Sequence, residues 1–456
     1  MNDGFGQQVT LSTPATVDSW TEMQRAFLAH SAATPTHLGA VLEAAPDFAL
    51  GHAVKGMFCT LLGRPEMVAD AQMSLVKART AQQRAGSTER ERRYVDALDI
   101  WLAGRPTMAL QHFAAILRDH PDDPLAMKLD HALRFVLGDS KGMRASLEQI
   151  MPAYGHDHPA RGYLLGCYAF ALEETGDYTA ARAAGRQGLD LAPDDAWGLH
   201  AVAHVHDMVG DAKGGLDWLT GREAAWAHCN NFRYHVWWHK ALMHLDQGQI
   251  DEVLALYDTE VRADKTDDYR DISNGTSLLM RLELEGVDVG NRWDEMAELS
   301  ANRTEDGCLI FADLHYLLAL SGGRKPDAMR KMIGRIHNDA KRNATDMDQA
   351  MAQPGMAAAT GLEAFGEGRY AQAFLSLHQA HKTMAHAGGS HAQRDVFERM
   401  TIDAGIRAGF FDQAEQLLAE RTTQRANTLD GYAAARHELI AQGREAAYAE
   451  SRLPAE

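Results

Sequence analysis

The feature that most constrains this chain is a turn that keeps returning. A glycine, followed by a helical run containing Ala or Met, occurs at Gly63, Gly104, Gly138, Gly176, Gly210, Gly248, Gly286, Gly322, Gly368 and Gly409, so that successive turns lie 34 to 46 residues apart. Helix-turn-helix units of the tetratricopeptide type repeat every 34 residues or so. Glycine supplies the positive φ at which one helix ends and the chain turns into the next, as in "ETGDYTAARAA" and "MVGDAKGGLDWL". Small residues such as Ala109 and Ala181 let paired helices approach closely, and Pro121 and Pro193 stop helices where a unit should close. No alternating β-branched run calls for a strand. The expected fold is all-α: a superhelical array of about ten tetratricopeptide-like hairpins. It forms one repeat domain over residues 21–442, with a loose N-terminal segment 1–20 and a C-terminal tail 443–456. An irregular all-α chain whose glycines merely cap helices is the plainer alternative. In an array, each hairpin buries its apolar face on its neighbours, and ten of them can curl around a cavity.

Histidines cluster on two of these hairpins. Residues 197–244 hold seven of the 22 histidines and five of the eight tryptophans. With the turn glycine set at position 15, His200, His204 and His206 fall at 5, 9 and 11, and His235, Trp238, His239 and His244 fall at 2, 5, 6 and 11 of the next unit. In the Gly322 unit, Asp313 falls at 6 and His315 at 8. Positions 2, 5, 6 and 9 face the concave groove of such arrays, so His200/His204 and His235/His239 are i,i+4 pairs aimed at one hollow. His206 and His244 would point into helix packing, and Trp237, at the position of a consensus aromatic, into the core. A buried hydrogen-bond network of imidazoles is the plain structural explanation of the cluster.

Two chemistries compete with it. Paired imidazoles one turn apart suit a divalent metal of the zinc kind, with His200, His204, His235 and His239 as ligands. The stretch H-A-V-A-H lacks the glutamate of the HExxH motif. The other chemistry is metal-free acid/base work by the same histidines, with Asp313 and His391 orienting or assisting. Trp238, His315, Asp395 and His206 are the substrate-binding candidates; His391 and Asp395 are themselves one turn apart in "GGSHAQRDVF". Ser273 and Ser390 are the serines available as nucleophiles, but no G-x-S-x-G elbow is present, nor any phosphate-binding glycine signature.

The net charge of −18 argues against a general nucleic-acid or anionic-membrane surface. No apolar run is long enough to span a bilayer, and no leader pattern opens the sequence. Cys59, Cys167, Cys229 and Cys308 are widely spaced and read as free thiols, so a reducing, cytoplasmic setting is expected.

The blocks "AWGLHAVAHVHDMVGD", "YHVWWHKALMHLDQGQIDEVLALYD", "FADLHYLLAL" and "GGSHAQRDVF" resemble the tetratricopeptide repeat protein 38 family over roughly 20–440. The resemblance implies helical repeats and no particular activity. It also implies that the histidines at 200, 204, 206, 235, 239 and 315, together with Asp313 and the His391–Asp395 segment, belong to the family pattern. The expected protein binds a small-molecule ligand and is an enzyme of hydrolase type. The alternative is a noncatalytic adaptor whose groove holds a segment of a protein partner.

Overall fold

The structure of the protein, a computed structural model, describes residues 1–450. Among these no strand forms; β-type pairing is limited to isolated bridges, Asn2 with Gln8 and Ser31 with Cys229. The fold is all-α, built from tetratricopeptide-like helix-turn-helix hairpins.

The turn logic read from the sequence holds at nine of the ten glycines, which have φ between +59° and +85°. Gly210 shows how one dipeptide serves two helices. Its N–H donates to Asp207 O and the Asp211 N–H to His206 O, which closes the helix Ala196–Met208. The Asp211 carboxylate then accepts the Gly214 N–H at 3.0 Å and caps the next helix, Ala212–Leu219. Asp139 and Asp177 start helices in the same way after Gly138 and Gly176.

The tenth turn departs from expectation. The left-handed residue there is Arg324, at φ +53°, with its N–H on Ser321 O and the Lys325 N–H on Leu320 O. Gly322 serves close approach instead: a Cβ on it would lie 2.3 Å from the Trp293 ring. The register of that hairpin therefore shifts by two, from a turn at 322 to one at 324. Asp313 moves from position 6 to 4 and His315 from 8 to 6.

The chain divides into two compact units rather than the single repeat domain expected over 21–442. The first comprises Met1–Val202, Gly221–Arg233 and Arg342–Gln349; the second Ala203–Thr220, Tyr234–Lys341 and Ala350–Glu456. The first unit contains the segment 1–20 as packed structure, not as a loose end. Asp3, Phe5, Gln7, Val9 and Leu11 are buried in alternation, and Trp20, on the helix Pro14–Leu28, is fully buried. The Asp3 carboxylate accepts Phe5 and Gln7 N–H groups and the Gln24 amide, while Arg90 donates to Gln8 O. The period-two burial explains why a search for helical spacing passed over this stretch. The supposed tail is helical as far as it is described, since Gly431–Glu450 is one helix; residues 451–456 lie outside the described residues.

The second unit fastens its last helices to its first. Arg425, after the helix Phe411–Gln424, donates to Asp207 O at 2.6 Å and to its carboxylate at 2.8 Å, across 218 residues of sequence. Arg436, in Gly431–Glu450, donates to Leu284 O at 2.5 Å and Glu285 at 2.8 Å. No helix of the described residues is long and apolar enough to cross a membrane. The four cysteines are free thiols, three of them buried.

Candidate metal centre

Three imidazoles of the second unit come together. His204 lies in Ala196–Met208; His235 and His239 lie one turn apart in Phe232–Asp246. The helical i,i+4 spacing puts the latter two on one face, and packing of the hairpins sets His204 against them. The Nε2 atoms of His235 and His239 are 3.2 Å apart, and the His204 and His239 ring centres are 4.3 Å apart. One ligand nitrogen from each of the three lies within 4.8 Å of the others. His204 and His239 are completely buried.

Two neighbours order the cluster. Asn274, on the helix Tyr269–Leu284, accepts from His235 Nδ1 at 2.8 Å, which leaves the His235 Nε2 lone pair facing inward. Trp238 stacks on His235 at 5.1 Å and meets His239 edge-on at 4.8 Å. Burial pushes the His235 imidazole down to about 3, against a smaller opposing effect of the Asn274 hydrogen bond. A histidine held that low is a poor general base at neutral pH.

These distances fit a small cation. Two nitrogens bound tetrahedrally to zinc at about 2.0–2.1 Å are about 3.3 Å apart. Asn274 stands where a metal-ligating histidine ordinarily has its outer hydrogen-bond partner.

The other sequence candidates have these neighbours. His200 is one turn before His204 on the same helix and belongs to the first unit, where it sits in an aromatic nest. Trp197 and Phe232 are each 5.1 Å from it and Phe170 is 5.7 Å away. His206 bonds Asp211 at 2.9 Å and His244 bonds Gln249 at 2.6 Å, each five residues on across its own turn. Both tie a helix end to the following cap; His206 is buried, as expected of a packing residue, whereas His244 is only half-buried beside its turn. Trp238, not Trp237, is the fully buried indole, whereas Trp237 is half-buried with Lys240 over its ring.

Asp313 pairs with Arg335 at 2.6 Å rather than with an imidazole, and burial raises it to about 6. His315 bonds Phe311 O at 2.7 Å and packs on Phe311 and Phe397. Asp395 meets guanidinium groups, Arg399 at 2.6 Å and Arg421 at 2.7 Å, in place of His391. Burial would raise this carboxyl, but Arg399, Arg421 and Arg281 outweigh it and hold it well below its ordinary range. His391 opens the helix His391–Arg407, capped by Ser390 through a capping box with Gln393. Ser273 donates to Tyr269 O at 2.7 Å. Both serine hydroxyls thus serve helix structure.

Two residues near the imidazoles escaped the sequence reading. Asn274 and Arg281 share the helix Tyr269–Leu284, and Arg281 lies over Trp238 at 5.4 Å. The available signal was "SNGTS", five small or polar residues in succession immediately before "LLMRLEL".

No family model matches the chain. Among solved structures it is similar to a human IFIT1 dimer with PPP-AAAA, at 14% identity and a TM-score of 0.37, covering 97% of each chain. It is also similar to Naa15/Naa10 bound to HypK-THB, at 11% identity and a TM-score of 0.25, covering 90% of this chain and 63% of that one. Neither similarity bears on what this chain binds.

Proposed function

We propose that this chain is a small-molecule-binding helical-repeat protein of hydrolase type whose centre is a divalent metal of the zinc class held by His204, His235 and His239. The observation that carries the reading is the Nε2–Nε2 separation of 3.2 Å between His235 and His239, with Asn274 fixing the His235 tautomer. Three neutral imidazoles would leave a fourth position, either for His200 or for a water that zinc would acidify toward neutral pH. His200 is a further ligand candidate by its i,i+4 spacing from His204. Trp238 supplies the apolar wall beside the metal. We infer that Asp313, held by Arg335, and His391 act outside the coordination sphere, and that the chain belongs with the tetratricopeptide repeat protein 38 family on its four sequence blocks.

Metal content decides the matter. Full-length protein, stripped with a chelator and titrated with Co²⁺, is expected to bind one equivalent and develop the visible absorption of a tetrahedral site. His239→Ala should abolish the signal while circular dichroism stays unchanged. Binding below one equivalent in the wild type, or an unchanged signal in His239→Ala, overturns the reading.

A further inference from the structure

The second unit contains a cavity of about 190 Å³ that the imidazole centre does not use. Its wall takes Asp207, Asp246, Glu285 and Asp395 as well as Arg281 and Arg399. Most of these charges are already matched. Asp207 holds Arg425, Glu285 holds Arg436, and Asp395 holds Arg399 and Arg421. Two are not.

Arg281 is 1% exposed, and its two terminal nitrogens donate to the Ser277 and Ala392 carbonyls at 3.1 and 2.6 Å. Its Nε has no acceptor. The nearest carboxylate, Asp395, is 3.6 Å away and is engaged more closely by two other guanidiniums. Asp246 is the reverse case: one oxygen accepts the Gly431 N–H at 3.0 Å, and the carboxylate forms no ion pair. It also stands at the C-terminal end of Phe232–Asp246, the negative end of the helix dipole. A buried charge that is incompletely matched is costly, and here a buried guanidinium that only shares its carboxylate borders the same hollow as a half-buried carboxylate with no ion pair. A simple anion would leave Asp246 unmatched, and a simple cation would leave Arg281 unmatched.

We propose that this cavity binds a small zwitterion of the α-amino-acid class, with the ligand carboxylate on Arg281 and its ammonium on Asp246. The volume lies below the roughly 300–1,000 Å³ of drug-sized sites, which suits a ligand of few heavy atoms. Burial lowers the Arg281 guanidinium to about 9, as expected where the opposing charge is incomplete. The site goes beyond the metal reading and stands without it.

The test uses full-length, chelator-stripped protein, so that chelation of a histidine-held metal contributes nothing. Each proteinogenic amino acid is screened by thermal shift, and any that stabilises the protein is titrated calorimetrically beside its α-amide and its deaminated acid. At least one amino acid should bind, with both analogues tenfold or more weaker. Asp246→Asn, half-buried and able to keep the Gly431 bond, should weaken binding by a similar factor. The proposal fails if no amino acid binds, if either analogue binds equally well, or if Asp246→Asn leaves the affinity unchanged.

Discussion

Asn274 and His235 form a 2.8 Å hydrogen bond across 39 residues of sequence, and that bond decides which imidazole nitrogen faces the other two histidines. Loss of such an outer partner typically lowers metal affinity 10–100-fold while leaving the ligands in place. Asn274→Ala should therefore retain the fold but release Co²⁺ to a competing chelator at a correspondingly lower chelator concentration. Unchanged competition would mean that the bond does not orient a ligand.

Arg324 occupies a left-handed turn that glycine fills in the other nine hairpins. That conformation costs a side chain roughly 1–2 kcal/mol, while glycine adds roughly 0.4–1 kcal/mol of unfolded-state entropy to be lost. Arg324→Gly should leave stability unchanged or raise it by up to about 1 kcal/mol. Urea unfolding measures the change, and a clear loss would show that the Arg324 side chain has a structural role.

Asp195, in the first unit, is raised by burial to about 7, with Lys128 opposing the shift. A folded-state value above the ordinary 3.8 means that its contribution is fully present below pH 4 or so and is lost as pH rises through 7. Over that window the expected loss is a few kcal/mol. Asp195→Asn keeps an oxygen for the Gly198 N–H, removes this slope and should be more stable than the parent above pH 7. Denaturant midpoints between pH 4 and 8 provide the measurement.

Asp395 has the opposite sign. Three guanidiniums hold it well below its ordinary value, so its contribution is present above about pH 4 and is lost on acidification. Asp395→Asn removes the carboxylate shared by Arg399, Arg421 and Arg281 and leaves buried Arg421 with Asp430 alone, so it should cost about 3 kcal/mol, the lower end of what breaking a buried pair costs. The acid limb of the stability profile should flatten in the same variant.

The hairpins were legible because the turn glycines and the aspartates that follow them act locally: each ends or starts a helix with atoms a few residues away. The i,i+4 histidine pairs were legible for the same reason. The partners of Asp313 and Asp395 were not. A carboxylate one turn from a histidine looks like its orienting group, yet Arg335 and Arg421 reach these acids from other helices. The Gly322 register failed because a glycine can serve close packing as well as a turn, and Trp293 against it is visible only in three dimensions. Residues 3–11 alternate rather than follow a helical period, and their anchors, Gln24 and Arg90, lie far along the chain.

Linear repeat arrays ordinarily fray from their ends, because a terminal repeat has only one neighbour. The bonds from Arg425 to Asp207 and from Arg436 to Leu284 deny the second unit such an end. Cutting away the helix Gly431–Glu450 with its Arg436 should therefore loosen Tyr269–Leu284 as well as the repeat beside it in sequence.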